Sequence, residues 1–428
     1  MYISFSSRPA RDAGSAPDGA TSRRGRKTVS STVVTLGVVS LLTDISSESI
    51  TAVLPLYVTG YLGMSTIAFG FIDGLYQGVS ALVRIAGGYT SDRLDRPKWV
   101  AFAGYGMAAL ARVGLLFATG FGALIAVISA DRIGKGIRTA PRDALITVSS
   151  RPENLGAAFG THRMLDNVGA ALGPLLAFLI LLLIPDGYGT IFVASLGFAV
   201  IGVTILGLLV PDVRRRARPA DGTHPARTRF AWRAVTAGPM RRALAAAGVF
   251  GLLTIGDGFV YLLLQTRAGF GAQWFPLLYV GTNVAFIALA IPLGRLADRI
   301  GRARVFVYGH AVLLAAYLIA ALPMTGAVPI MLCLLCLGAF YAATDGVLAA
   351  LAGQLSTADT LGTGIAAAQT VTALARFVSA AGFGVLWYLL GAEASMFLIS
   401  GLLVVAIPVV MMLLRPLLIA PTPAEADT

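Results

Sequence analysis

Long uncharged runs of Leu, Ile, Val, Ala and Phe recur along this chain, separated by short stretches rich in Gly, Pro, Arg and Asp. Two of the clearest, Ile191 to Val210 and Met396 to Leu414, approach or reach the ~20 residues of helix that cross a hydrocarbon core of ~30 Å. Splitting the chain at its charged and Gly/Pro-rich connections predicts helical spans near 32–59, 66–90, 99–119, 122–147, 157–184, 190–211, 243–265, 273–296, 303–323, 328–352, 362–390 and 394–415. A soluble fold would have to bury all of these runs at once. The pattern therefore predicts an all-α polytopic membrane protein of twelve transmembrane helices.

Composition agrees: of 428 residues, 57% are hydrophobic and 13% charged, where a soluble domain carries about a quarter charged. The net charge of +12 does not point to nucleic acid, because the Lys and Arg cluster in the short connections. Arg93, Arg96 and Lys98, then Arg138, Arg142 and Arg151, then Arg295, Arg299, Arg302 and Arg304 fall on even-numbered connections, and Arg23, Arg24, Arg26 and Lys27 in the N-terminal tail. The opposite loops offer essentially Arg267. The positive-inside rule then places both termini in the cytoplasm of a cell whose inner (plasma) membrane holds the chain. Residues 1–30 read as a disordered cytoplasmic tail, 31–211 as an N-terminal six-helix bundle, 212–242 as a basic linker, 243–416 as a C-terminal six-helix bundle and 417–428 as a second tail. The linker arginines lie where anionic lipid would attract them. Cys333 and Cys336 lie within an apolar run and read as small packing residues.

The two halves repeat. Gly37-Val-Val-Ser-Leu-Leu-Thr43 opens the first span and Gly248-Val-Phe-Gly-Leu-Leu-Thr254 the seventh, an offset of 248 − 37 = 211. Gly88-Tyr-Thr-Ser-Asp92-Arg93 closes the second span and Gly294-Arg-Leu-Ala-Asp298-Arg299 the eighth, an offset of 294 − 88 = 206. Parallel six-helix halves related about the membrane normal are a transporter architecture with its site near the midplane.

With these repeats the chain, over about residues 31 to 416, resembles the major facilitator superfamily. The most specific element is the loop pattern G-x-x-x-D-R-x-G-R-x-[RK]. Gly294, Asp298, Arg299, Gly301, Arg302 and Arg304 fit it in full; Gly88, Asp92, Arg93, Arg96 and Lys98 fit with Asp95 in place of glycine and one residue missing before Lys98. The resemblance implies a gating latch at this loop, with Arg376 of the eleventh span as a candidate partner of Asp92. In the fourth span Arg132-Ile-Gly-Lys135-Gly136 resembles a family pattern that has Gln where Lys135 stands. In the fifth, Gly160, Gly169, Gly173 and Pro174 resemble the antiporter pattern G-x8-G-x3-G-P, with Ala177 and Phe178 replacing its last glycine pair. The resemblance tilts the reading toward drug/proton antiporter-type exporters.

Ionisable residues in lipid cost several kcal/mol unless paired or hydrated, which makes them functional candidates. Asp44 and Glu48 share a face of the first span, and Asp131, Lys135, Arg138 and Arg142 a face of the fourth, with Arg132 and Asp143 flanking. At ~1.5 Å per residue, Asp44 lies roughly 16 Å and Glu48 about 22 Å from the inner end, against roughly 18 Å for Lys135 and about 22 Å for Arg132. These acids and bases are therefore level, on spans that line the central cavity in the family. Asp44, Glu48 and Asp257 are candidates for proton coupling; Asp131, Arg132, Lys135, Arg138 and Asp345 for substrate binding. The alternative reading of the same charges is a permanent structural network that satisfies itself. His162, beside Arg163 and Asp166, is a possible relay but more simply an interfacial histidine. No metal-ligand spacing and no P-loop occurs, so neither a cofactor, a metal nor nucleotide hydrolysis is expected.

The expectation is a non-enzymatic secondary transporter, functioning as a monomer, that exports a small molecule in exchange for protons. An importer of an anionic metabolite, suggested by the surplus of bases on the fourth span, and a non-transporting membrane sensor are the alternatives.

Overall fold

A computed structural model describes residues 29–94, 96–151, 154–212, 238–323, 326–357 and 360–419, without the side chains of 81, 82, 84–94, 418 and 419. Most of both predicted tails and of the linker lies outside the described residues. Within them the chain is helical throughout: α1 (Ser31–Tyr61), α2 (Thr66–Leu94), α3 (Pro97–Leu115), α4 (Phe121–Val148), α5 (Leu155–Leu183), α6 (Tyr188–Leu209), α7 (Gly238–Ala268), α8 (Pro276–Ile300), α9 (Arg302–Ala321), α10 (Ala327–Gln354), α11 (Leu361–Leu390) and α12 (Ala392–Ile419). Nine of these are long and apolar enough to cross a membrane; α2, α3 and α4 are the others. Charge sets α4 apart, since it carries Asp131, Arg132, Lys135, Arg138, Arg142 and Asp143.

Large apolar side chains cover the outside of the fold, including Phe117, Leu183, Leu208, Val328 and Met412, each more than 70% exposed. Such a surface fits lipid rather than water. Helix edges follow the local chemistry. Ser30 caps α1 by accepting the Val33 amide at 3.4 Å. Pro55, which lacks the N–H that would bond to Thr51, interrupts α1 after Thr51, and the helix resumes through a π turn at Tyr57–Tyr61. Gly301, with φ of 103°, makes the one-residue turn from α8 to α9.

The helices form two six-helix bundles. In the first, α1 packs on α5 and α6, and α4 on α2 and α3; in the second, α10 packs on α8 and α9, and α7 on α11 and α12. The bundles meet chiefly through α2 with α11 and α5 with α8. The contact is set by glycine: a Cβ on Gly70 would strike the Ala380 carbonyl and the Gly384 backbone, and one on Gly384 would strike the Thr66 carbonyl. Thr66 Oγ1 donates to the Gly384 carbonyl at 3.1 Å. Aromatic pairs Phe69–Phe259, Phe71–Phe377 and Phe178–Trp274 join the bundles in the same region. All of these lie in the half of the helices distant from the N-terminal start of α1, here called the far end.

α7 is broken. Gly238–Leu252 and Asp257–Ala268 are helical, and Leu253 to Gly256 cross between them. The Ile255 amide donates to Tyr317 Oη at 2.9 Å, and that hydroxyl donates to the Leu253 carbonyl at 3.4 Å, so a fully buried tyrosine of α9 satisfies the exposed backbone. By the repeat offset, Asp44 corresponds to position 44 + 211 = 255. Where the first bundle puts a carboxylate within the continuous helical stretch Ser31–Thr51, the second breaks the helix and restarts it at Asp257.

Candidate functional site

The charges of the first bundle gather on three helices. α1 and α4 run antiparallel, so one-turn steps down α1 (Glu48, Asp44, Ser40) face one-turn steps along α4 (Lys135, Arg138, Arg142). Lys135 Nζ lies 3.9 Å from Glu48 Oε1, Arg138 Nη2 lies 3.9 Å from Asp44 Oδ1, and Arg142 Nη1 donates to Ser40 Oγ at 3.5 Å. This register differs by about one turn from the level pairing expected from depth, because a shift of three residues in the assumed helix ends moves every partner by ~4.5 Å.

The third helix is α5. Its residues His162, Asp166, Gly169 and Gly173 stand at i, i+4, i+7 and i+11, a single face. A Cβ on Gly169 would strike the Leu41 backbone and one on Gly173 the Ile45 carbonyl and Glu48 Cβ, so this face lies directly on α1. Pro174 is buried in the same contact region, whereas Gly160 faces open space. The close approach brings Asp166 near Asp44, so that the two carboxyl groups interact electrostatically. Arg142 Nη1 is 3.9 Å from Asp166 and Nη2 is 3.0 Å from Asp143. His162 Nε2 is 3.3 Å from Ser40 Oγ, which also lies 3.5 Å from Tyr105 Oη.

Asp131 and Arg132 stand apart from this ladder. Asp131 is held between Arg112 of α3 and Arg132, whose Nε donates to it at 2.7 Å, and it is 9% exposed. Arg112 Nε donates to Ser46 Oγ at 3.0 Å, and the Arg132 guanidinium stacks 3.6 Å from the centre of the Tyr76 ring. Arg138 likewise lies over Tyr105 at 4.3 Å. The most open ion pair between α1 and α4 is Glu48–Lys135, with side chains 26% and 34% exposed.

In the second bundle Tyr341 Oη donates to Asp257 Oδ1 at 2.8 Å. Arg376 pairs with Asp345 at 3.6 Å, and the Asp345 side chain is 53% exposed. The side chain of Asp92, the latch partner expected for Arg376, is outside the described residues, as are those of Gly88 and Arg93. In the second copy of the latch motif, Arg302 bridges Asp298 at 3.1 Å and donates to the Ala350 carbonyl at 3.0 Å, tying α8 and α9 to α10. Gly294 and Arg299 have open surroundings. Between the bundles, Asp73 of α2 rests on Gly256 at the α7 break and accepts from Gln77 Nε2 at 3.3 Å.

Three partnerships went unread in the sequence: Arg112 with Asp131, Tyr341 with Asp257, and Asp166 with Asp44. The last had a signal, since Asp166 lies on the glycine face that packs α5 against α1. The other two join helices that no spacing within one helix relates.

The model of the Major Facilitator Superfamily matches residues 36–380. The chain belongs to that superfamily. An uncharacterised MFS-type transporter of Methanocaldococcus jannaschii is 29% identical over 289 residues, 66% of this chain and 70% of that protein. An uncharacterised protein of Mycobacterium tuberculosis is 29% identical over 189 residues, covering 44% of this chain and 45% of its own length. Among solved structures, the nucleoside transporter NupG superposes with a TM-score of 0.75 at 13% identity over 90% of this chain and 100% of that one. A POT family transporter in complex with 5-aminolevulinic acid gives 0.73 at 13%, over 90% and 96%. A bacterial homologue of the lysosomal transporter Spinster, in an inward-facing and unoccupied conformation, gives 0.73 at 15%, over 90% and 97%. At these identities the likeness concerns the fold, which is that of secondary transporters.

Proposed function

We propose that this superfamily member is a proton-coupled secondary transporter that exports a small polar solute by alternating access. The observation that carries the reading is the ladder Glu48–Lys135, Asp44–Arg138 and Asp166–Arg142, with its partly exposed end at Glu48 and Lys135. A solute that displaces Lys135 from Glu48 changes the field on Asp44 one turn away, and a proton taken up there changes the hold on the solute. That reciprocity is what coupled transport requires. Asp257, bonded to Tyr341 at the α7 break, is the corresponding carrier candidate of the second bundle.

The α5 face of Gly169, Gly173 and Pro174 supports export, through its resemblance to the antiporter pattern. The argument for an imported anion weakens on charge balance: Arg112, Arg132, Lys135, Arg138 and Arg142 face Asp44, Glu48, Asp131, Asp143 and Asp166. With both termini cytoplasmic and the chain in a plasma membrane as a monomer, the far-end contact closes the outer side, and the conformation is the one that loads solute from inside.

The test is vesicle transport of a panel of solutes under an imposed proton gradient, in inside-out and right-side-out orientations. Asp44→Asn and Glu48→Gln are expected to remove gradient-driven accumulation. Transport with unchanged rate and pH dependence in both variants overturns the coupling; accumulation only in right-side-out vesicles overturns export.

A further inference from the structure

Asp73 of α2 belongs to none of the ion pairs described above. Its Oδ2 accepts from Gln77 Nε2 at 3.3 Å, one turn along the same helix, and no lysine or arginine pairs with it among the described residues. A carboxylate in a membrane-spanning helix is costly without a compensating group, so what faces Asp73 decides its role. Facing it is the break in α7. A Cβ on Gly256 would overlap the Asp73 carboxyl group, with Cγ at 2.7 Å. That group thus takes the place of a side chain at Gly256, and any residue but glycine there would expel it.

Gly256 is the N-cap of the second segment of α7, Asp257–Ala268, which is 12 residues long. The N-terminus of such a helix carries the equivalent of about half a positive charge and stabilises a carboxylate placed there. An unbroken α7 would present no such end to the first bundle. Two residues on, Gly258 repeats the pattern: a Cβ there would strike the Phe69 ring of α2 at 2.7 Å and Pro55 of α1 at 2.9 Å. Phe69 and Asp73 stand at i and i+4, on one face of α2, and the Phe69 ring packs edge-on against Phe259, 4.8 Å between centroids. Gly256 and Gly258 therefore seat the start of this segment against the first bundle. Asp257, between them, turns its Oδ1 to Tyr341 of its own bundle.

We propose that Asp73 is a gating residue whose carboxylate, lodged at the N-terminus of the second α7 segment, helps to hold the two bundles closed at the far end. The role rests on the alternating-access reading above for its purpose: the contact joins opposite bundles and is lost when they part on that side. Tyr317 shapes the receiving end by satisfying the backbone of the break, Gly256 clears the space, and Gln77 holds the carboxylate in place. Asp257 opposes the contact by like charge, and its bond to Tyr341 draws it aside.

Pulsed electron–electron double resonance on the full-length protein in lipid tests it, with spin labels on Pro185→Cys of the first bundle and Ala394→Cys of the second and with Cys333 and Cys336 replaced. Asp73→Asn keeps the shape and removes the charge, and is expected to lower the ratio of short to long separations by about 2- to 30-fold, the range that a carboxylate at a helix end supports. Gly256→Ala, which keeps the charge but fills its seat, is expected to lengthen the separations as well. In Asp73→Ala the seat is vacated, so adding Gly256→Ala to it should cause no further loss, the non-additivity of a direct contact. Asp257→Asn, which removes the like charge, should keep the short separation. The proposal is overturned if Asp73→Asn gives the parent distribution, if the losses in the double variant add, or if Asp257→Asn opens the far end as Asp73→Asn does, since the two carboxyl groups would then hold each other. The distances are read without solute or proton gradient, so failure of the coupling or export reading leaves them unchanged, and failure of the gate leaves vesicle transport to decide that reading.

Discussion

Lys135 of α4 stands 3.9 Å from Glu48 of α1, one helical turn from the 3.9 Å pair of Arg138 and Asp44. The two pairs differ in exposure: 34% and 26% for the first, 6% and 13% for the second. Partly solvated ion pairs contribute at most about 1 kcal/mol. Glu48→Gln and Lys135→Gln should therefore change folding stability by no more than about 1 kcal/mol, while lowering solute flux in vesicles. A double variant carrying both changes should show non-additive flux, the signature of a direct interaction. Additive losses would mean that the two side chains act separately.

Asp131 belongs to a different class. It neutralises both Arg112 and Arg132 in a site where each of the three is under 10% exposed. Removing one partner of a buried ionic group leaves charge uncompensated at a cost of roughly 3–5 kcal/mol. Asp131→Ala is expected to reduce folded yield and resistance to denaturant sharply, and Asp131→Asn to do so less. If Asp131 touches solute instead, both variants will fold normally and show a raised half-saturation concentration for transport, which a solute-concentration series measures.

The cross-bundle contact predicts its own inhibitor. Gly384 and Gly70 approach backbone to backbone, and any side chain at either position would strike the opposing helix. Gly384→Val is expected to leave each bundle intact but to shift the population away from far-end closure. Spin labels on Pro185→Cys and Ala394→Cys, with Cys333 and Cys336 replaced, would report longer separations in Gly384→Val than in the parent. Gly401→Val, at a position with no neighbour in reach, is the control and should leave the distance distribution unchanged.

The sequence made the helices legible because lipid imposes a single rule: every span must be long, apolar and helical. Asp44, Glu48, Lys135 and Arg138 were legible for the complementary reason, that charge in such a span is expensive and needs a purpose or a partner. Partners were less legible. Asp131 was grouped with Lys135 because they share a helical face, yet its contacts are Arg112 on α3 and the adjacent Arg132, which depend on how α3 and α4 are rotated together. Arg376 pairs with Asp345 on the neighbouring α10, a partnership that no spacing within one helix marks, while the side chain of its expected latch partner Asp92 lies outside the described residues. Rotation is decided by packing between helices, here by glycines such as Gly169 and Gly173. A reader of the glycine face would have found Asp166; nothing comparable marks Tyr341 or Arg112.

The break in α7 offers the most local test of how one bundle differs from the other. Tyr317 is 0% exposed, and its hydroxyl accepts from the Ile255 amide and donates to the Leu253 carbonyl. Tyr317→Phe keeps the ring and removes both bonds, leaving an unpaired buried N–H and C=O at a cost of about 1–3 kcal/mol. The expected outcome is loss of stability together with faster hydrogen exchange confined to Leu253 to Asp257, measured by mass spectrometry. Tyr341→Phe removes only the 2.8 Å bond to Asp257. The pH profile of transport should shift in this variant while exchange at the α7 break stays as in wild type. A shift in Tyr341→Phe with none in Tyr317→Phe assigns a titrating step of transport to Asp257; equal profiles in both variants and the parent remove Asp257 from the proton cycle and leave it as the polar start of a helix.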